Sequence, residues 1–122
     1  MVVDDEPMAR DLLRLMLERA GFRVSEARDG FDALEKVKQN LPDIVILDVM
    51  MPGMDGVSVC RALSSDDATA HVPIIMLSAK THASSIQEGL DAGAKRYLSK
   101  LISRKDLIKN IHEVLDEVGT VP

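Results

Sequence analysis

The chain has 122 residues and a mass of 13.4 kDa, enough for one domain with its own core and too short for a second. A formal charge of −5 and a pI near 5.1 exclude a nucleic-acid backbone as the main partner, and no apolar run approaches the ~20 residues of a membrane span. The single cysteine, Cys60, rules out an internal disulfide, and the N-terminus lacks a signal-peptide pattern, so a cytoplasmic protein is expected.

Short apolar runs alternate with amphipathic stretches, the pattern of βα units around a parallel sheet. The predicted strands are Met1 to Val3, Phe22 to Glu26, Ile44 to Asp48, Pro73 to Leu77 and Lys95 to Leu98. The third and fourth are continuously apolar and suit the centre of a sheet covered on both faces; the second alternates Phe22, Val24 and Glu26 and suits an edge. The first predicted helix repeats Met8, Leu12, Leu15 and Met16 at core spacing, and Gly21 stands where a left-handed residue closes it. The second runs from Phe31 to Gln39 and stops before Pro42; the third runs from Gly56 to Ser64, with Val59, Cys60 and Leu63 on one face. An inert buried thiol follows for Cys60. The stretch "SSDDATAH" (Ser64 to His71) reads as a polar loop. The fourth helix, His82 to Ala92, is the poorest, with Ser84, Ser85 and a mid-helix Gly89. The fifth opens with Ser103 and Asp106 in capping-box spacing and buries Leu107, Ile108, Ile111, Val114 and Leu115. Residues 1–118 form the domain and 119–122 look like the start of a linker; that ending and the short first strand both suggest a piece of something larger.

In a doubly wound sheet, ligands bind beyond the carboxyl ends of the strands. "VVDDE" places Asp4 and Asp5 there, "DIVILDVMMPGMDG" places Asp48, "IMLSAK" places Ser78 and "YLSK" places Lys100. Three carboxylates and one ammonium leave a deficit of positive charge, and like charges ~5 Å apart repel by roughly 3 kcal/mol at an effective dielectric of 20. A divalent cation on hard oxygen ligands compensates naturally, Mg²⁺ best of all and Mn²⁺ as a substitute; without Cys or His at the strand ends, zinc is disfavoured.

Taken in order and spacing, "VVDDEP", "ILDVMMPGMDG", "IIMLSAK" and "AKRYLSK" resemble the receiver domain of bacterial two-component response regulators over essentially the whole chain. The resemblance implies a flavodoxin-like α/β/α fold, a doubly wound parallel sheet of five strands in the order 2-1-3-4-5. It implies that Asp48 accepts a phosphoryl group from a histidine kinase, a histidine phosphotransfer domain or a small acyl phosphate. Asp5, Asp48 and the Met50 carbonyl would hold Mg²⁺, with Asp4 acting through water, and Lys100 would share in neutralising the transferring group. Ser78 and Tyr97 would be the switch pair, altering the face made by the fourth helix, fifth strand and fifth helix for an output domain, a downstream protein or a second copy. Met50 and Lys80 would flank the site and set the lifetime of the acyl phosphate, although Lys80 reads equally well as a solvated loop lysine and Met50 and Met51 equally well as packing. Glu6 suits a first-turn helix acid.

The sequence departs from the family where Leu101 replaces the usual proline after the lysine, which predicts a trans bond and leaves the aim of Lys100 open. Two other readings compete. A haloacid dehalogenase-like phosphohydrolase would carry a second acid two residues after its nucleophile, where this chain has Met50; a receiver that has lost its chemistry would lack an acid or the lysine, and all are present. His112 in "IHEV" faintly suggests a phosphotransfer histidine, but a lone helix histidine is ordinarily surface.

Overall fold

A computed structural model describes residues 1–119; the remainder of the expected linker lies outside the described residues. The elements alternate as β1 (Val2–Val3), α1 (Pro7–Arg19), β2 (Glu26–Ala27), α2 (Gly30–Gln39), β3 (Val45–Asp48), α3 (Gly56–Ser65), β4 (Ile74–Ser78), α4 (Ala83–Asp91), β5 (Arg96–Ser99) and α5 (Arg104–Glu117). The five strands are parallel in the order β2-β1-β3-β4-β5, as the resemblance implied.

Alternation along the buried strands divides the core between two faces. Val45, Leu47, Ile74 and Met76 meet α2 and α3 through Ala33, Val37, Val59 and Leu63. Ile46, Ile75 and Leu77 turn the other way to Leu17 of α1 and to Leu107, Ile111 and Val114 of α5. Three of the helices start on side-chain caps: Asp29 accepts from the Asp32 N–H, Asp55 from Ser58 and Ser103 from Asp106. Gly21, at φ +97°, lies just beyond α1 in the left-handed region expected of it.

Three expectations need correction. The second strand is Glu26–Ala27 rather than Phe22 to Glu26, because only Val2 and Val3 of β1 are available to pair with it. Phe22 and Val24 alternate because they pack on the α1/α5 side of the core. On α1 the buried face is Leu13, Met16 and Leu17, whereas Met8, Leu12 and Leu15 face solvent, the first two at 73% and 66% exposure. The loop after α3 is not wholly polar surface: Thr69 is buried, and its hydroxyl donates to the Leu63 carbonyl at 2.7 Å. Cys60 is buried as expected, its Sγ donating to the Ala92 carbonyl, and burial pushes the thiol pKa up.

Candidate functional site

All of the sequence-predicted acids arrive at one edge of the sheet. Asp48 is the last residue of β3 and only 4% exposed; Asp4, immediately after β1, is 5% exposed, while Asp5 beside it is open to solvent. One carboxylate oxygen from each of Asp4, Asp5 and Asp48 lies within 4.8 Å of the others, a spacing at which a single cation could be held. Lys100 Nζ lies 3.1 Å from Asp48 Oδ1 and 3.5 Å from Asp4 Oδ2. The Lys100–Leu101 bond is trans, with Leu101 95% exposed, so the lysine reaches the acids without the proline.

Buried charge demands partners, and the main chain supplies several. The Glu6 N–H donates to Asp4 Oδ1 at 3.0 Å, and the Met50 N–H donates to Asp48 Oδ1 at 3.2 Å. Even so, burial pushes the Asp48 carboxyl up from its ordinary value and Asp4 pushes it further, against the opposing pull of Lys100 and the Met50 amide. For Lys100, burial acts downward, but Asp48 and Asp4 together outweigh it and hold the ammonium above its usual range. Asp48 is therefore short of positive charge even beside Lys100, which suits an oxygen-seeking divalent ion.

The turn after Asp48 brings α3 hard against the strand. At Gly56, the first residue of α3, an added Cβ would stand 2.5 Å from the Asp48 carbonyl oxygen and 2.7 Å from Val49 Cα, so no larger residue fits without moving the phosphoacceptor candidate. Met51 is core, while Met50 is half exposed and lines with Lys80 a cleft of about 410 Å³.

Ser78 ends β4 fully buried, and its Oγ accepts the Lys80 N–H at 3.0 Å. Tyr97 on β5 donates its hydroxyl to the Lys80 carbonyl at 2.7 Å. Both candidate switch residues thus hold the main chain of one loop residue. The ring of Tyr97 occupies a notch left by Gly89, where an added Cβ would meet Tyr97 Cδ2 at 2.6 Å and Met76 Sδ at 2.7 Å. The sequence marked Gly89 as a weakness of α4; the structure makes it the seat of the tyrosine. His112 is exposed on α5 beside Phe22.

The buried acids, the lysine and the hydroxyl are gathered at the carboxyl edge of a doubly wound α/β sheet, the place where such folds bind their ligands. Residues 1–112 match the family described as response regulator receiver domain, and the chain belongs to that family. It is a receiver domain, the phosphoacceptor module of two-component signalling. It is 43% identical over 119 residues to the transcriptional regulatory protein CseB of Streptomyces avermitilis, covering 98% of this chain and 49% of that protein. Identity is 40% over 111 residues to the DNA-binding response regulator MtrA of Mycolicibacterium smegmatis, covering 91% and 47%. The chain therefore spans about half the length of these relatives. Among solved structures it superposes on Vibrio cholerae chemotaxis protein CheY4 with a TM-score of 0.87 and 34% identity, over 93% of this chain and 94% of that one. A CheY-like receiver domain protein of Methanospirillum hungatei gives 0.90 at 25% identity, over 99% and 95%. No helix among the described residues is long and apolar enough to cross a membrane.

Proposed function

We propose that Asp48 is the phosphoacceptor. A carboxylate oxygen of Asp48 attacks the phosphorus of a phosphohistidine, on a histidine kinase or histidine phosphotransfer domain, or of a small acyl phosphate. A P–O bond to Asp48 forms as the bond from phosphorus to the donor nitrogen or oxygen breaks, and the electron pair leaves with the donor. The observation that carries this reading is the placement of Lys100 Nζ, 3.1 Å from Asp48 Oδ1 and 3.5 Å from Asp4 Oδ2, where an ammonium can pair with an oxygen of the incoming phosphoryl group.

The hard oxygen set of Asp4, Asp5 and Asp48 fits Mg²⁺ or Mn²⁺; Asp5, Asp48 and the Met50 carbonyl would hold the ion directly and Asp4 would act through water. Bound there, the ion would supply charge neutralisation on the transferring group. Met50 and Lys80, on one cleft beside the acids, regulate the access of water to the acyl phosphate and hence its lifetime. The domain catalyses only its own phosphorylation and dephosphorylation.

The switch runs through Lys80. When Ser78 Oγ turns to a phosphoryl oxygen on Asp48 it gives up the Lys80 N–H, and the same residue's carbonyl is the partner of Tyr97. The β4–α4 loop and Tyr97 then settle together, changing the α4–β5–α5 face that an output domain, a downstream protein or a second copy reads. Residues 1–118 are the receiver unit of a cytoplasmic regulator, with 119–122 the start of a linker or tail; the curated relatives it matches are about twice as long.

Incubation with acetyl phosphate and Mg²⁺, read by intact mass, tests the assignment. One added phosphoryl group is expected on the wild-type chain and none on Asp48→Asn; equal uptake by both overturns it. Many-turnover release of phosphate from p-nitrophenyl phosphate would instead favour a hydrolase.

A further inference from the structure

Beside the acids, one guanidinium ties three elements together. Arg10 lies one turn into α1, and its Nη1 donates to the Asp4 carbonyl at 2.8 Å. That carbonyl belongs to the peptide joining Asp4 to Asp5. Asp4 follows Val3, the last residue paired in β1, and its own N–H donates to Ala27 of β2 at 3.2 Å. Arg10 Nε stands 3.6 Å from Glu26 Oε1, and Arg14 Nε stands 3.5 Å from the same oxygen. This oxygen is out of contact with solvent and takes no hydrogen bond, so the two cations hold it by charge.

We propose that Arg10, steadied by Glu26, is a positioning residue that fixes the Asp4–Asp5 peptide and so sets where the two carboxylates present themselves to a cation. A peptide unit is planar, so holding its oxygen orients the Cα atoms on both sides of it. Without Arg10 the carbonyl of a nearly buried residue loses its fixed donor, and water entering the vacated space can satisfy it in more than one orientation, so the peptide is no longer held in place. The role rests on the cation-binding reading of these acids.

Two roles for Arg10 predict effects of opposite sign. A positive charge beside a cation site weakens binding, so if Arg10 acted through charge alone, Arg10→Ala would tighten Mg²⁺. If it acts by positioning, Arg10→Ala loosens Mg²⁺ despite the relief of repulsion, by about tenfold in Kd, as is typical when a group supporting metal ligands is lost. Arg10→Lys keeps the charge but not the fork that serves Asp4 and Glu26 together, and loosens Mg²⁺ to a smaller extent.

Titration of the unphosphorylated chain with Mg²⁺ by calorimetry gives the Kd directly. The acetyl phosphate reaction followed over a Mg²⁺ series should then show the Arg10→Ala rate recovering at saturating metal, because the acceptor and Lys100 are intact. If Arg10→Ala does not fold, Arg10→Lys still separates the two roles, because it keeps the charge: positioning raises the Kd, whereas charge alone leaves it unchanged. A Kd unchanged or lowered in Arg10→Ala, beside a wild-type chain that binds Mg²⁺ and accepts phosphoryl, overturns the role of Arg10 alone. A wild-type chain that does neither overturns both this inference and the reading beneath it.

Discussion

At the ends of β1 and β3, one side of the site, stand Asp4 and Asp48, each nearly buried and each accepting a main-chain N–H, with the backbone around them pinned by Arg10 and by the close approach of Gly56. On the other side, on β4, β5 and the loop after β4, stand Ser78, Tyr97 and Lys80, joined by two hydrogen bonds to one loop residue and followed by α4, whose N-cap position, His82, provides no side-chain cap. Helices α2, α3 and α5 all have such a cap, and α1, which has none, starts on Pro7 and is tied to the Asp4 carbonyl through Arg10. On the proposed function, the groups that would meet a phosphoryl group in fixed geometry are over-determined, and those that would change position are held by few and replaceable contacts.

The sharpest way to break this contrast is to disturb a glycine on each side. Gly56→Ala would drive a methyl into the Asp48 carbonyl and Val49 Cα, backbone atoms that cannot step aside. A loss of about 3 kcal/mol of stability in urea unfolding is expected, with phosphoryl uptake impaired in whatever folds. Gly89→Ala meets side chains instead, the Tyr97 ring and the Sδ of fully buried Met76, so the ring must leave its seat to admit the methyl. The overpacking is partly offset by the gain in helix propensity, leaving a net loss of about 1 kcal/mol. Uptake at Asp48 should stay near wild type, while the fluorescence change on phosphorylation, read from the only tyrosine in a chain without tryptophan, should be lost or altered. If Gly89→Ala slows uptake as severely as Gly56→Ala does, the two sides are not separable as described.

The same division marks how far the sequence could be read. The acids, the serine and the lysine were legible because each sits at the end of an apolar run, and a strand end is a local property. What failed depends on partners distant in the chain. The alternation of Phe22 and Val24 signals burial, but whether a buried segment pairs as a strand was decided by β1, which offers it only two residues. On α1 two apolar stripes share one period, and nothing local says that Leu13, Met16 and Leu17 turn inward while Met8 and Leu12 do not. Arg10 carried no signal, since one partner is a main-chain carbonyl, which no sequence marks, and the other, Glu26, is sixteen residues on in the neighbouring strand. Gly89 carried the wrong one, because its cost to the helix is local and its use, a seat for Tyr97, is not.

The smallest effect concerns the charge stored on the rigid side. Unfolded, Asp48 titrates near its ordinary 3.8; folded, burial and Asp4 raise it despite Lys100. Between those two values the folded chain keeps a proton that the unfolded chain has released, so stability falls as pH rises through that window and the loss persists above it. Asp48→Asn removes the charge, and in metal-free buffer at neutral pH it should unfold at higher denaturant than wild type, the gap closing as pH is lowered below 3.8. Lys100 opposes this gain, because it loses its nearest partner in the variant; its contribution, from a raised pKa, is present at neutral pH and lost only in alkali. Because Asp48 is raised with Lys100 already in place, burial and the repulsion from Asp4 outweigh the pair, and the variant gains on balance. Added Mg²⁺ should then stabilise wild type more than Asp48→Asn and narrow the gap, since the cation relieves a repulsion the variant no longer has. Denaturation midpoints that run parallel for the two chains across the acid range would show instead that Lys100 alone balances the buried carboxylate, and that the rigid side stores no charge for a cation to relieve.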